Sequence, residues 1–321
     1  MAPGRAASAS VPSAIASMVV ATLLWGATFV VIRDSLTGLS PGTLVAVRFG
    51  IAAVVLGLIV LARGVRFTGP MRQATLRAGI AGGVAAAAGH LFQAIGLTST
   101  QAGSSAFLTS IGTLFVGLIA WPLLGQRPGG RLMLGVGIAL VGAALLGIRG
   151  DFRIGAGDAW TLLGALCFAF QVVAFARWAQ DGDVVSIAAI QAAVASLCVL
   201  PFALNEGARN AGAPHAGVAH AAAQLAALDG AGRARLAYLV AAGSVAAPLL
   251  QVLAQRTLPP GRVGLLFTLE PVFALAFALA FGGERFVPRW WAGAALILFS
   301  VVWVEWSEAR QGAARIPTAT A

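Results

Sequence analysis

A glutamate and a proline stand side by side in the apolar stretch LLFTLEPVFALAF, residues 265–277. An ionisable group such as that of Glu270 costs about 2.5–3.5 kcal/mol at the centre of a membrane, so it usually faces a cavity or a partner. Pro271 lacks a backbone N–H and leaves the carbonyl of Phe267 without its helical hydrogen bond. Two roles are open. Either Glu270 exchanges a proton or binds a cation beside a hinge at Pro271, or it is a packing residue that tethers the helices.

Arg48 is a second charged side chain inside an apolar run, about two helical turns after Pro41. Its guanidinium stays charged and offers a fork of N–H donors. Arg48 can therefore bind an anionic group of a substrate, extend to the membrane interface, or pair with a carboxylate. If that carboxylate were Glu270, the pair would keep Glu270 ionised and argue against proton coupling.

Uncharged polar residues and one tryptophan recur inside other apolar runs. His90 and Gln93 are three residues apart, which places them on one face of a helix. Gln171 and Gln251 lie within two later runs, and the indole of Trp25 is suited to stack on a planar or cationic solute. Polar side chains in hydrocarbon point inward to find hydrogen bonds. The set predicts either a polar cavity for a neutral or zwitterionic solute or hydrogen bonds that hold helices together.

The composition identifies the surroundings of these side chains as a lipid bilayer. Apolar residues form 59% of the chain, charged residues form 10%, and the mean hydropathy is +0.89. Soluble domains are near half apolar and a quarter charged. The basic residues, all arginine, fall mostly between apolar runs and form no basic stripe, which argues against a nucleic-acid partner. We expect no metal or other cofactor, since neither zinc-ligand spacing nor an ATP-binding loop is found in the sequence.

Ten apolar runs have the length of helices that cross about 30 Å of hydrocarbon. They predict an all-α integral membrane protein with spans at 14–32, 42–62, 79–97, 103–124, 132–149, 158–177, 184–204, 236–255, 263–282 and 289–305. The longest gap, 205–235, predicts a long external loop with a short surface helix near 217–228, and 306–321 predicts a cytoplasmic tail.

An internal repeat relates the two halves of the chain, 14–149 and 158–305. The ungapped shift that superposes Gln93 on Gln251 also aligns several glycines and arginines further on. Each half holds five predicted spans, an odd number, so the second half must be inverted relative to the first. Inverted repeats are typical of secondary transporters, whose substrate site lies near the middle of the membrane between the halves.

The arginines between the spans predict the orientation. With the N-terminus inside, twelve arginines fall on the internal side and eight on the external side. Because internal segments carry an excess of basic residues, both termini are expected to be cytoplasmic. The absence of lysine and the abundance of alanine and glycine indicate a GC-rich, bacterial genome, which predicts the inner cell membrane.

Three stretches resemble the EamA-type members of the drug/metabolite transporter superfamily. They are LLWGATFVVIR (23–33), SPGTLVAVRFG (40–50) and LEPVFALAFALAFGGERFVPRWWAGAALIL (269–298). The resemblance implies ten transmembrane helices in two inverted five-helix repeats. The first repeat departs from it, because Gly112 and Thr113 stand where the second repeat has Glu270 and Pro271. Any break in the fourth helix must therefore come from Gly112.

Together these features predict a secondary transporter, not an enzyme, acting as a monomer or a homodimer. It would export a small metabolite, an amino acid-like compound or a drug by alternating access, with protons as the candidate coupling ion. One alternative is a nucleotide-sugar or other organic-anion transporter, although Arg48 is the one cation placed deep in a predicted span. A scaffold or receptor that transports nothing is an alternative from another class, but it leaves the mid-membrane glutamate, histidine and glutamines unexplained.

Overall fold

The computed structural model describes residues 10–65, 68–147, 155–213, 215–281 and 287–314, and every regular element in these ranges is a helix. Ten helices are long and apolar enough to cross a membrane, which confirms the predicted all-α, ten-span fold. Three parts of the chain discussed above lie outside these ranges: the end of the first repeat at 148–149, residues 282–286 within the stretch 269–298, and the last tail residues, 315–321.

The first five spans form the first repeat. They are α1 (Val11–Ser35), α2 (Pro41–Ala62), α3 (Gly69–Leu97), the pair α4 (Ala102–Ser110) and α5 (Gly112–Leu124), and α6 (Gly130–Gly147).

The second repeat contains spans six to ten. They are α7 (Ala156–Trp178), α8 (Val184–Asn210), then α10 (Gly230–Tyr238) with a π-helix (Leu239–Ala246) and α11 (Ala247–Gln255), the pair α12 (Pro260–Phe267) and α13 (Glu270–Phe281), and α14 (Arg289–Ala314). A short helix, α9 (Gly217–Ala226), lies between spans seven and eight. Below, the end of the bundle at which α1 begins is called the N-terminal end, and the opposite end is called the distal end.

Several helices continue beyond the predicted spans, and as a result the 205–235 segment differs from the predicted loop. Span seven extends to Asn210 and span eight begins at Gly230, so most of the predicted loop is helical. Hydropathy locates the part of a helix that lies in hydrocarbon, whereas the helix itself continues into water while its backbone hydrogen bonds persist. The short helix α9 is tied to the bundle because Gln224 Oε1 accepts a hydrogen bond from the Ser40 N–H at 3.4 Å.

The two repeats are interlocked along their length. The four largest sets of helix contacts pair span three with span six, span two with span seven, span three with span seven, and span five with span ten, so each pair takes one helix from each repeat. Glycine makes some of these approaches possible. A Cβ atom added at Gly142 of span five would lie 2.6 Å from the carbonyl oxygen of Gly293 in span ten, and the reverse distance is the same.

This glycine contact gives a first prediction. Gly142→Val should separate spans five and ten and lower the free energy of unfolding by about 1–3 kcal/mol, the usual effect of overpacking. Thermal unfolding of the purified protein in detergent measures the loss. Gly137→Val is the matched control, because a Cβ added at Gly137 on the same span meets nothing within 4 Å. Equal destabilisation by both variants would contradict the packing account.

Spans two and seven are joined at both ends. At the N-terminal end Arg63 holds the carboxylate of Asp183 through two hydrogen bonds of 3.1 Å. At the distal end Glu206 Oε2 accepts a 2.8 Å hydrogen bond from the N–H of Gly42. An alignment of the two spans on their N-cap residues, Ser40 and Asp183, also superposes Arg63 on Glu206. The repeat therefore places a polar tie at each end of this helix pair.

Asp183 is a titratable group in these ties. Burial raises the pKa of its carboxyl, but hydrogen bonds from Ser186 and the ion pair with Arg63 outweigh burial and hold the pKa below the ordinary value of 3.8. The charged form therefore stabilises the fold. That contribution is present at neutral pH and is lost as the pH falls through the lowered pKa.

Asp183→Asn should consequently lower stability at pH 7 by less than about 1 kcal/mol, since Arg63 is partly exposed to solvent. The difference from the wild type should shrink as the pH approaches 3, which unfolding midpoints at the two pH values would show. Asp229→Asn is the control: Asp229 also caps a helix, through the N–H of Gly232, without an ion pair in the part of the chain described here. If Asp183→Asn lowered the unfolding midpoint by the same amount at pH 7 and near pH 3, the ion-pair account would be contradicted.

Candidate solute-binding site

Spans four and nine are each interrupted in the middle of the membrane, at matching positions. Span nine breaks at Thr268 and Leu269, directly before Glu270 and Pro271, where the missing N–H of the proline predicts a break. Span four breaks at Ile111, and α5 begins at Gly112, as the sequence indicated. A hinge motion at Pro271 remains a prediction.

The two breaks have the same backbone geometry. The N–H of Leu114 donates to the Ile111 carbonyl at 3.0 Å. The equivalent residue of the second repeat, Val272, donates to the Leu269 carbonyl at the same distance of 3.0 Å. These bonds follow the tighter three-residue spacing that often marks a strained or hinge-like point in a helix. The repeat therefore shares an interrupted helix even though only its second copy has the proline.

A cavity lies beside both breaks. Its volume is about 50 Å³, which holds a few water molecules. Its walls come from spans one, three, four, six and nine, and five of the predicted site residues line it: Trp25, His90, Gln93, Gln171 and Glu270. Since ligand pockets usually measure about 300–1,000 Å³, the cavity must widen to admit a solute.

The cavity lies where the symmetry of the repeats places equivalent residues. The alignment of span two on span seven described above also places span one on span six, and it superposes Trp25 on Phe168. In the same alignment Thr28 is the equivalent of Gln171, and all four residues line the cavity. The breaks of spans four and nine, themselves equivalent, border it as well. A cavity lined by matched residues of both repeats lies close to the axis that relates them.

Glu270 is the first residue of α13 and is 5% exposed. It forms neither an ion pair nor a side-chain hydrogen bond with any described residue, so the tethering role proposed from the sequence finds no partner here. Among the described residues that line the cavity, Glu270 is the one carboxyl group.

Span three contributes His90 and Gln93 to the cavity wall. The His90 ring lies between Phe49 and Phe168, with ring centroids 4.9 and 4.8 Å away. The Gln93 amide donates to Thr109 Oγ1 at 3.5 Å, a long hydrogen bond that leaves the amide free to reorient toward a solute. His90 Nδ1 is buried and has no partner among the described residues, so this wall also has unused hydrogen-bonding capacity.

Trp25 is held in the cavity wall by the π-helix of span eight. In that element the N–H of Ala247 bonds to the carbonyl of Ala242, five residues back. The next residue, Pro248, has no N–H to continue the pattern to Gly243. The indole Nε1 of Trp25 donates to the free Gly243 carbonyl at 3.0 Å.

Arg48 lies behind the cavity wall. It is 2% exposed, does not line the cavity, and places its guanidinium 4.8 Å from the centre of the Phe49 ring. It pairs with neither Glu270 nor any other carboxylate in the described ranges, and its Nε has no hydrogen-bond partner there. Arg48 therefore does not belong to the cavity lining, and its contact with a substrate stays a prediction.

Gln251 is also outside the cavity, in contrast to its predicted equivalence with Gln93. Its side chain is fully buried, and neither amide atom has a partner in the part of the chain described. The π-helix precedes Gln251 but is absent from span three, where α3 runs unbroken through Gln93. A π-helical turn contains an extra residue and rotates the residues that follow about the helix axis. The second copy of the glutamine therefore faces another direction.

Apart from Trp25, the aromatic residues of the cavity were not predicted from the sequence. Phe29, Phe168 and Phe267 line it, and Phe267 stacks on Trp25 with ring centroids 5.6 Å apart. An apolar residue in an apolar run gives no signal of its own. An alignment of span one on span six would have identified Phe168, because it superposes that residue on Trp25.

Ten spanning helices in two inverted repeats around a cavity at the two interrupted spans define a membrane transporter. The chain belongs to the EamA-like transporter family, whose model matches residues 12–148 and 155–306. An uncharacterized transporter of Archaeoglobus fulgidus is 26% identical over 282 residues, covering 87% of this chain and 82% of that protein. A solved crystal structure of another protein, 21% identical, matches with a TM-score of 0.69 and covers 94% of this chain and 99% of that chain. That likeness supports the fold.

The contact between spans one and nine gives a prediction at the site. A Cβ added at Gly26 would lie 2.6 Å from the Phe273 Cβ and 3.1 Å from the Glu270 carbonyl oxygen. Gly26→Ala should therefore displace span one from the break and lower the free energy of unfolding by about 1–3 kcal/mol. Gly103→Ala is the control, since a Cβ there meets nothing within 4 Å and alanine favours a helix by up to about 1 kcal/mol. Thermal unfolding measures both variants. A lower unfolding temperature for Gly103→Ala than for Gly26→Ala would contradict the close packing at the break.

Proposed function

We propose that the chain is a secondary transporter that exports a small metabolite, an amino acid-like compound or a drug by alternating access. The observation that carries the proposal is the cavity between two interrupted helices, with the unpaired Glu270 carboxyl in its wall. Interrupted helices are tolerated at membrane depth where they line a cavity, and their loosened backbone lets one half of a span move relative to the other.

The lining favours a neutral, zwitterionic or cationic solute over an organic anion. Glu270 contributes the one carboxyl among the described lining residues, while Arg48 lies outside the lining. The aromatic side chains in the wall suit a planar or apolar body, and a ring face such as that of Trp25 attracts a cation. The amides of Gln93 and Gln171 can donate to and accept from polar groups of the solute. A nucleotide sugar would bring negative charge next to Glu270, which disfavours that alternative.

Glu270 is the residue that we assign to coupling. A carboxyl buried without a counter-ion can hold a proton and release it once the cavity opens to water or a cationic group approaches. Proton and solute would then compete for one group, which links their movements across the membrane. Both termini are proposed to be cytoplasmic on the arginine distribution, in the inner cell membrane, and export is proposed on the family resemblance.

The proposal is tested by comparing metabolites inside cells and in the medium for cells that overproduce the wild type, Glu270→Gln or Glu308→Gln. Glu308→Gln is the matched control, because it makes the same change on the terminal part of span ten, away from the cavity. We expect at least one compound to accumulate outside with the wild type and Glu308→Gln. Glu270→Gln should lose at least about tenfold of this export at equal amounts in the membrane.

Purified protein in proteoliposomes then tests coupling with the identified compound. An imposed proton gradient should drive uptake by the wild type and not by Glu270→Gln. Equal export and equal gradient dependence of the two forms would reduce Glu270 to a packing residue and overturn its assigned role.

A further inference from the structure

A second, larger space opens between spans three, four and six. It is a crevice of about 710 Å³, and it lies nearer the N-terminal end of the bundle than the solute cavity. The wall from span three is built of small residues, including Ala81 and Ala85, and the other walls include Leu123 and Phe170. These side chains belong to helices that are long and apolar enough to cross a membrane, and apart from Arg177 they offer almost no polar group, so hydrocarbon suits the crevice better than water.

An apolar crevice at that depth has to be filled. Leu123 is 58% exposed and Phe170 is 47% exposed within the protein, so both present large apolar surfaces to whatever occupies the space. An empty space would lose the dispersion contacts of its lining, and water would find almost no hydrogen-bond partners on these walls. A flexible hydrocarbon chain satisfies both conditions.

One end of the crevice carries a positive charge. Arg177 is the one charged residue in the described lining, is exposed, and has neither a hydrogen bond nor an ion pair with any described residue. It is followed by Trp178, the last residue of α7, and tryptophan at the end of a span typically lies at the level of the lipid headgroups. A guanidinium at this level has the charge and the donor geometry to hold a phosphate.

We propose that this crevice binds an anionic phospholipid, with one acyl chain between spans three, four and six and the phosphate on Arg177. The site is separate from the solute cavity, although the same spans form both. Adjacent residues of span six face the two spaces, Val172 toward the cavity and Val173 toward the crevice. The proposal depends on the shape and charge of the crevice and not on which solute is transported.

The test uses native mass spectrometry of the purified full-length protein, supplied in detergent with either phosphatidylglycerol or phosphatidylcholine of identical acyl chains. The wild type should retain one phosphatidylglycerol several-fold more often than one phosphatidylcholine. Arg177→Gln should lose this preference and Arg177→Lys should keep part of it. Ala85→Leu, which fills the crevice, should lower the retention of both lipids at least about threefold.

Arg131→Gln is the matched control, because Arg131 is another exposed arginine at the N-terminal end, on span five and outside the crevice. It should retain lipid as the wild type does, and unchanged unfolding midpoints show that all variants are folded. Equal retention of the two lipids by the wild type would overturn the proposal. The proposal would also be overturned if Arg131→Gln lost the preference for phosphatidylglycerol as Arg177→Gln does, or if Ala85→Leu retained as much lipid as the wild type. A second copy of the protein bound in place of lipid would overturn it as well.

Discussion

A helix that stops in the middle of a membrane leaves backbone N–H and C=O groups without partners, at a cost of several kcal/mol for each group that faces hydrocarbon. The breaks at Ile111 and at Thr268–Leu269 therefore have to lie inside the protein. This requirement explains why spans four and nine meet near the axis between the repeats. Thr113 at one break donates to the Gly264 carbonyl in span nine at 2.7 Å, so the two interrupted helices also satisfy each other.

The same interruption produces the site. The loosened turn beside Glu270 borders the cavity that this carboxyl faces. Equivalent residues of the two repeats form other parts of the cavity wall. Departures from symmetry then make the site polar on one side and charged on the other. Gly112 gives way to Glu270 in the second repeat, and the π-helix of span eight turns Gln251 away while its free carbonyl anchors Trp25.

The fold could be predicted from the sequence because hydropathy and the five-plus-five repeat are strong signals in a bilayer. The break at Glu270 and Pro271 was equally clear, since a missing N–H has a fixed consequence in a helix. The directions of side chains were harder to predict. The π-helix that rotates Gln251 leaves little trace in the sequence, and nothing in the spacing of Arg48 shows that it lies behind the cavity wall. The phenylalanines of the cavity do not stand out in apolar runs.

Under the proposed function, one cavity between the repeats opens in turn to each side of the membrane. Thr28→Cys and Gln171→Cys, each made in a background with Cys167 and Cys198 replaced by serine, place single thiols at symmetry-related positions in its wall. A membrane-impermeant thiol reagent is then applied to vesicles of either orientation. If the cavity opens in this way, each thiol reacts from both sides. Reaction of Thr28→Cys from one side only and of Gln171→Cys from the other side only would contradict it.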